Sequence, residues 1–262
     1  MSYLITTRNE LEGLSRLLRL VLGNGRVNGN YLEILSCLLT IHYEQDGLVR
    51  FRAFHDKFLD ITGQIGREGW NKATRVYTTN KDRVTKPSYL RRLLEYPDTS
   101  RKSENSTQYI SQIDTISSEM AKKPGYSILS FVFLRPADLV DKFRPGYVPC
   151  PLAGDFKFRD GRLHLGVMFR TSDAFGVGYA DIFYLRAMQE TVLQKAKEKS
   201  SLERIHAGEI GDLNLYFSRT YIERSHQLKD PMTNIQKSVS ICPLAKKLAE
   251  ELRKATDQSK AV

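Results

Sequence analysis

The spacing of apolar residues predicts helices near the start of the chain. In "LEGLSRLLRLVL" the apolar residues recur at helical spacing. Thr7 and Glu10 form a capping box before this helix, and Gly23 is expected to end it. A second apolar helix is expected over "YLEILSCLLTIHY". The first part of the chain is therefore expected to be mainly helical and irregular.

Strands join the helices from residue 107 onward. "STQYISQIDTISSEMAKKPG" has the spacing of a helix that its final Pro-Gly ends, and "YSILSFVFL" has the composition of a buried strand. The segment "GDFKFRDGRLHLGVMFRTSD" predicts a β-hairpin with Asp160-Gly161 as its two-residue turn. Three further elements are expected: a helix over residues 180–198, a strand over "DLNLYFS" and a last helix over "PLAKKLAEELRKA".

This mixture of elements indicates an α+β protein. Helices and strands follow one another without a repeated βα unit, and no internal repeat is visible. We expect residues 1–262 to form a single domain. Within it we distinguish a helical and basic N-terminal region, residues 1–105, from a core over residues 107–220.

The composition is typical of a globular protein in a reducing compartment. The chain has 262 residues, 41% of them hydrophobic, enough for one sizeable core. No run of about 18 apolar residues occurs, so no membrane span is expected. "MSYLITTRNE" lacks a signal-peptide core. The three cysteines, Cys37, Cys150 and Cys242, form no CxxC pair, which argues against a zinc site and a disulfide framework. A cytoplasmic protein without a metal is expected.

The charge balance favours an anionic ligand. The formal net charge is +10. Eight Lys or Arg against three acids fall between Arg75 and Lys102. This basic segment could meet a phosphate or a nucleic acid, or it could be a solvated surface. Basic and aromatic residues are not interleaved in it, so a nucleic-acid-binding protein is the weaker interpretation.

The predicted hairpin brings a thiol close to a guanidinium. With Asp160-Gly161 as the turn, the register places Cys150 opposite Thr171 and Pro151 opposite Arg170. Directly opposed residues lie about 5 Å apart. A nearby cation favours the thiolate, which is the nucleophilic form of cysteine. The alternative is that Cys150 is a small buried residue and Arg170 a surface charge.

The segment around this cysteine resembles the catalytic segment of the thymidylate synthase family. That family carries a Pro-Cys step, a hairpin turn and then an Arg-Ser-x-Asp run. Cys150, Asp160-Gly161, Arg170 and Asp173 match this order without a gap. Three other stretches within about residues 107–220 are similar to the family: "SQIDTISSEMAKKPGYS", "RPADL" and "GDLNLYFS".

The resemblance implies a fold, a reaction and a set of site residues. The fold is a twisted mixed sheet flanked by helices, in a homodimer packed sheet to sheet. The reaction moves a one-carbon unit from 5,10-methylenetetrahydrofolate to C5 of a pyrimidine nucleoside monophosphate, after the cysteine thiolate adds to C6. The implied residues are Cys150 as the nucleophile, Arg170, Thr171 and Ser172 at the substrate, Asp173 between substrate and folate, and Asn214 and Tyr216 at the sugar.

Asp181 indicates which base is bound. Thymidylate synthases carry Asn at the matching position, where its amide can pair with O4 and N3 of uracil. Cytosine reverses that hydrogen-bonding edge, and the cytidylate hydroxymethylases of the family resemble this chain in having Asp there. Hydroxymethylation of CMP or dCMP is therefore expected, with uridylate methylation as the alternative. Asp181 could also be only the N-cap of the helix that follows.

The chain departs from the family in how it would bind phosphate. The family's arginine pair falls near Ser127 and Ile128, neither of which is basic. The family's histidine on the sugar strand is Asn214 here. Phosphate recognition then has to come from elsewhere, such as the basic segment or Arg144. These departures leave open a catalytically inactive member of the family that binds nucleotides or a partner.

The family's glutamate is difficult to place. Glu33 in "YLEILSCLL" vaguely resembles its apolar context, but it lies farther from Cys150 along the chain than the family's glutamate does. The alternative is a glutamate on the surface of a helix.

Overall fold

The computed structural model describes most of the chain. The described residues are 2–78, 87–98, 108–127, 129–140, 148–229 and 236–257.

The elements in chain order combine helices and strands throughout. They are β1 (Tyr3–Thr7), α1 (Glu10–Asn24), β2 (Arg26–Asn28), β3 (Tyr31–Ile41), α2 (Gln45–Ala53), α3 (His55–Thr78), α4 (Tyr89–Leu94), β4 (Tyr96–Asp98), β5 (Gln108–Ile110), α5 (Gln112–Lys122), β6 (Ser130–Val132), α6 (Pro136–Val140), β7 (Pro151–Arg159), β8 (Arg162–Phe169), β9 (Ser172–Asp173), α7 (Gly178–Lys199), α8 (Glu203–His206), β10 (Glu209–Glu223), β11 (Ser225–Lys229), β12 (Gln236–Ser240) and α9 (Cys242–Asp257).

The chain divides into two compact units. The first unit comprises Met1–Ala73, Phe169–Phe183 and Leu213–Val262. The second unit comprises Thr74–Met168 and Tyr184–Asp212.

The first unit is built on a mixed sheet. Its central strand β3 pairs in parallel with β1 and antiparallel with β10. The short strand β2 adds to β3, and β9 runs parallel beside β10. Helix α1 packs against β1, β3 and α9, so the apolar stripe of α1 is buried between the sheet and the last helix.

Helix α1 begins and ends at residues other than those expected. Asn9 is its N-cap, because its side-chain oxygen accepts the backbone N–H of Glu12 at 3.1 Å. Thr7 is the last residue of β1, so the predicted capping box was wrong. Gly25 closes the helix by donating its N–H to the carbonyl of Val21, and Gly23 is still helical. Pairing of β1 with β3 holds Thr7 in the sheet.

The predicted second helix was wrong, because residues 31–41 form the strand β3. A short continuous apolar run is compatible with either a buried strand or a buried helix. Neighbouring strands on both sides supply hydrogen-bonding partners, which a helix at this position could not use. Cys37, Leu39 and Ile41 alternate along one face and are buried.

In both long strands of this sheet, β3 and β10, the alternation of buried and exposed residues is interrupted at directly paired positions. In β3 the buried positions pass from Ile34 to Cys37, and in β10 they pass from Phe217 to Thr220. At this level Ser36 has a left-handed φ of 57°. A kink therefore decides which side chains reach the open face of the sheet.

The second unit contains the predicted hairpin. Its strand order is β10, β8, β7 and β6, with β10 contributing its first residues. The two-residue turn between β7 and β8 is confirmed, with φ of 50° at Asp160 and 72° at Gly161. Positive φ at both residues is the type I′ geometry that matches the twist of a hairpin.

A buried ion pair joins α4 and α6 in this unit. Arg92 donates to both carboxylate oxygens of Asp138, and both side chains are almost fully buried. Gln112 of α5 adds hydrogen bonds to the carbonyls of Arg92 and Val132. Breaking such a pair leaves an uncompensated buried charge, which costs roughly 3–5 kcal/mol.

The structure is consistent with the expected α+β class. Helices flank a mixed sheet, and α7, β10 and α9 lie where the sequence predicted those elements. Helix α5 covers only the later part of its predicted stretch, because Gln108–Ile110 form β5 and pair with β4. No described helix combines the length and the apolar composition that crossing a membrane requires.

Candidate active site

Cys150 lies in the second unit, directly before β7, and is half-buried. Its backbone N–H donates to the hydroxyl oxygen of Tyr89 at 3.3 Å. Tyr89 is the first residue of α4, whose N-cap is Ser88. The sequence did not single out Tyr89, because it stands in a polar segment that was interpreted only through its basic residues.

An aromatic cluster surrounds Tyr89 within the same unit. Its ring meets Tyr77 edge-on at 5.0 Å and Phe133 at 5.5 Å. Tyr77 in turn stacks on Tyr184 with an interplanar angle of 14°. Cys150 is therefore linked through Tyr89 to aromatic rings, a type of surface on which a heterocyclic base can stack.

The other two cysteines differ from Cys150. Cys37 is fully buried in β3, and burial raises the pKa of its thiol to about 11. It is therefore protonated and inert at neutral pH. Cys242 is half-buried at the start of α9.

Asp173 carries an unusual carboxyl in the first unit. It lies on β9, and its Oδ1 accepts the backbone N–H groups of Phe175 and Gly176 at 3.2 and 3.1 Å. Burial is the largest influence and raises the pKa of Asp173 to about 6, and the charge of Glu223 acts in the same direction. A carboxyl with such a pKa can both accept and release a proton near neutral pH.

Asp181 is buried, at 6% exposure, in the first turn of α7. Its own backbone N–H donates to the carbonyl of Val177, so it lies inside the helix and the N-cap interpretation was wrong. Its carboxylate accepts a hydrogen bond from the hydroxyl of Ser172 at 3.3 Å. The side chain is thus held by the hydroxyl of Ser172, and Asp181 does not occupy the N-cap position of α7.

Arg170 and Thr171 follow β8 in the first unit. Arg170 is exposed. The hydroxyl oxygen of Thr171 is buried and has no hydrogen-bond partner among the described residues. Cys150 belongs to the other unit, so its convergence with these two residues stays a prediction.

Asn214 and Tyr216 share the more open face of β10 in the first unit, as expected for alternate residues of a strand. The side-chain oxygen of Asn214 accepts the hydroxyl of Thr40 on β3 at 2.9 Å. Tyr216 is 36% exposed and opposite Leu38. Their contact with a sugar stays a prediction.

Glu33 lies on β3, so the interpretation as a helix-surface glutamate was wrong. Its carboxylate forms an ion pair with Arg219 of β10 and accepts a hydrogen bond from Asn28 at 2.9 Å. The Arg219 guanidinium also lies over the rings of Tyr31 and Tyr221, at 5.1 and 4.8 Å from their centroids. Glu33 is therefore committed to an ion pair, and its catalytic role stays a prediction.

The expected sources of phosphate recognition are only partly described. Ile128, Arg144 and the parts of the basic segment at 79–86 and 99–102 lie outside the described residues. Ser127 is exposed, and its carbonyl accepts the ammonium of Lys157. Arg92, which belongs to the basic segment, is buried against Asp138 and is not a surface cation.

The chain is similar to a protein of Methanosarcina barkeri (strain Fusaro / DSM 804) that is described as "Putative thymidylate synthase". The two sequences are 30% identical over 91 residues, which is 34% of this chain and 40% of the relative. The match thus spans well under half of that relative. No protein-family model matches the chain.

This likeness supports a thymidylate-synthase-like relationship at most, and it does not distinguish between branches that differ in base or product. Two groups stand out among the described residues, each within its own unit. Cys150 is half-buried and its backbone N–H donates to Tyr89, and the carboxyl of Asp173 has a raised pKa.

The raised pKa of Asp173 predicts a pH-dependent loss of stability. The unfolded pKa is near 3.9, so the folded state binds the proton more tightly. This contribution is complete below about pH 4 and disappears as the pH rises through about 6, with a magnitude of about 2–3 kcal/mol.

Asp173→Asn cannot ionise, yet its amide oxygen can still accept the two backbone N–H groups. We therefore expect the free energy of unfolding to fall less between acidic and neutral pH in the variant than in the wild type. Urea unfolding at a series of pH values measures this. Asp46→Asn, at an exposed first-turn position of α2, is the control. Equal pH profiles for Asp173→Asn and the wild type would contradict the shifted pKa.

Proposed function

We propose that this protein transfers a one-carbon unit to C5 of a pyrimidine nucleotide, and that its reaction is the hydroxymethylation of CMP or dCMP. The likeness to a thymidylate synthase supports C5 transfer in general. The observation that carries the proposal is Cys150, a half-buried residue whose backbone N–H donates to Tyr89 of an aromatic cluster. It opens the segment whose Cys, turn, Arg and Asp order matches the family.

Cys150 would act as a covalent nucleophile. Its sulfur bonds to C6 of the base, which makes C5 nucleophilic, and it leaves as thiolate once C5 has gained its substituent and lost its proton. The folate, 5,10-methylenetetrahydrofolate, supplies the one-carbon unit. Water then completes a hydroxymethyl group, whereas hydride would complete a methyl group.

The first unit offers residues that fit a folate. The ring of Trp70 is half-buried and lies 4.1 Å from His55 and 5.2 Å from Phe183, between ring centroids. Its neighbour Gly69 packs so closely on Gly176 that a Cβ would overlap the carbonyl oxygen of Gly176. Trp70 and the loop that follows Asp173 are thus neighbours, and together they would hold a planar ring and hydrogen-bond to it.

The choice of cytosine depends on Asp181. A buried carboxyl, held by Ser172, can donate to N3 of cytosine when protonated and can accept from the 4-amino group. The structure removes the competing explanation of Asp181 as an N-cap. Uridylate methylation is the alternative, for which the same position would need an amide.

The open face of the first unit's sheet supports a dimer. Leu4, Leu38 and Tyr216 are directly paired across β1, β3 and β10, and all three are exposed, at 71%, 38% and 36%. Leu35 is also exposed, at 59%, on β3. A row of exposed apolar side chains across three strands is typical of a surface that another molecule covers. We propose that a second copy of the chain covers it.

One prediction of this function concerns the nucleophile. Cys150→Ala should fold, because a small side chain replaces a small one, but turnover should fall by several orders of magnitude. CMP, dCMP, UMP and dUMP are incubated with 5,10-methylenetetrahydrofolate, and product masses distinguish hydroxymethyl from methyl. Release of tritium from C5 reports the same step sensitively.

Cys242→Ala is the matched control, since this half-buried cysteine lies outside the proposed site. It should keep wild-type turnover. Full activity of Cys150→Ala would remove the covalent mechanism, and a wild-type protein that converts none of the four nucleotides would favour a family member that only binds.

The second prediction concerns Asp181. Asp181→Asn should shift the ratio of kcat/KM for cytidylate over uridylate towards uridylate by about ten- to hundred-fold, because a mismatched hydrogen bond in a closed site costs roughly 1–3 kcal/mol. Steady-state kinetics with both substrates measure the ratio. The first-turn variant Asp46→Asn controls for helix electrostatics. An unchanged ratio with an unchanged melting temperature would remove the cytidylate assignment.

The third prediction concerns assembly. Light scattering at micromolar concentration should give twice the 30.0 kDa of one chain. Leu38→Glu places a charge in the middle of the exposed row and should produce monomers. Leu139→Glu, which makes the same change at an exposed leucine of the second unit, should leave the dimer intact. A wild-type monomer would refute the interface.

A further inference from the structure

Arg135 is a half-buried cation that forms no ion pair with a carboxylate among the described residues. Its Nη2 donates to the carbonyl of Glu95 at 2.7 Å, and its backbone N–H donates to Asp138. Its Nε is buried and meets no acceptor among the described residues. A buried donor without an acceptor is costly, so such a group is a candidate for binding a ligand.

The neighbouring arginines are already neutralised. Arg91 pairs with Glu95 at 2.7 Å, and Arg92 pairs with Asp138. Burial lowers the pKa of Arg135, as do the like charges of Arg92 and Arg91, while Asp138 opposes this effect. Glu95 and Asp138 are thus each paired with another arginine, and the guanidinium of Arg135 forms no ion pair among the described residues.

The strand register places Arg135 at the same end of the sheet as Cys150. In the ladder of β6 and β7, Val132 pairs with Ala153, and the next bond joins Phe133 N–H to the carbonyl of Leu152. Continuing this register would put Arg135 opposite Cys150. Pairing ends at Leu134, one residue before Arg135. We therefore expect the Cα atoms of Arg135 and Cys150 to lie within about 5–10 Å of each other.

Tyr89 gives a second link between Cys150 and the segment that carries Arg135. Its hydroxyl oxygen accepts the N–H of Cys150, and its ring contacts Phe133, two residues before Arg135. Both Arg135 and Cys150 belong to the second unit.

We propose that Arg135 binds the anionic group of the ligand on which Cys150 acts. The identity of that group as the phosphate of a pyrimidine nucleotide rests on the proposed function. Guanidinium is suited to the task, because its planar donors match a phosphate and its charge persists in a partly buried setting. Arg135 would then supply recognition that the family's arginine pair, absent near Ser127, would otherwise provide.

The test compares a charged with a neutral thiol reagent. Iodoacetate is an anion and iodoacetamide is neutral, and both alkylate a thiol by the same chemistry. The rate of iodoacetate divided by that of iodoacetamide therefore rises when a cation lies near the thiol. In the wild type we expect a ratio several-fold higher at Cys150 than at Cys242, the internal comparison. Peptide mass spectrometry after timed labelling gives both rates in one sample.

Arg135→Gln should lower the ratio at Cys150 to that of Cys242. Arg162→Gln is the matched control, because it removes the same charge at the turn end of the hairpin, nine residues of β7 away from Cys150. It should leave the ratio unchanged. Equal ratios at the two cysteines in the wild type, or an unchanged ratio in a folded Arg135→Gln, would overturn the proposal.

If Arg135→Gln does not fold, the wild-type protein itself provides the test. Inorganic phosphate should slow alkylation of Cys150 by iodoacetamide but not that of Cys242. Absence of protection at millimolar phosphate would overturn the proposal.

Nucleotide binding separates this proposal from the proposed function. In the wild type CMP should bind at least tenfold more tightly than cytidine, and Arg135→Gln should remove most of that difference. If Arg135 controls the alkylation ratio but neither CMP, dCMP, UMP nor dUMP binds, the anion site stands and the proposed function fails. If CMP binds more tightly than cytidine equally in the wild type and in Arg135→Gln, the proposed function stands and Arg135 is not its phosphate ligand.

Discussion

The hairpin turn at Asp160-Gly161 is the constraint on which the candidate site of the second unit depends. Left-handed φ values at both residues allow a two-residue connection, and this connection sets the register of β7 against β8. A slip of one residue would move every side chain of β7 to the opposite face. The position of Cys150 at the start of β7 follows from that register. The ladder between β7 and β6 then brings Arg135 to the same end.

Charges in the protein fall into two groups. Arg92 and Asp138 are buried together, and Glu33 and Arg219 form a pair beside two tyrosine rings, so these groups stabilise the scaffold only as pairs. Among the described residues, the Asp173 carboxyl, with its pKa of about 6, forms no ion pair, and the Arg135 guanidinium forms none either. A ligand can supply the ion-pair partner that such a group lacks, and both groups occur in segments that also carry the proposed chemistry.

The cysteines differ from one another in burial and surroundings. Cys37 is part of the core of β3, where burial keeps its proton bound. Cys150 directly precedes β7, and its backbone N–H donates to Tyr89, whose ring belongs to an aromatic cluster. The sheet of the first unit likewise has a buried face and an open one. The kink at Ser36 places Leu38 and Tyr216 on the open side, where a second copy would cover them.

The sequence by itself determined the elements whose signals are local. The turn residues Asp160-Gly161 were sufficient to predict the hairpin, and the helical spacing of apolar residues was sufficient to predict α7 and α9. Each of these signals depends only on residues that are neighbours in the sequence. The order of Cys150, Arg170 and Asp173 was likewise visible as a motif.

Only the tertiary structure decided the rest. Residues 31–41 became a strand because β1 and β10 offered hydrogen-bond partners on both sides, and an apolar run alone does not specify that outcome. The hydrogen bond between Asp181 and Ser172 joins α7 to β9, and no local rule predicts it. The pKa of Asp173 and the uncompensated charge of Arg135 arise from burial and from charges distant in sequence, which exist only once the chain has folded.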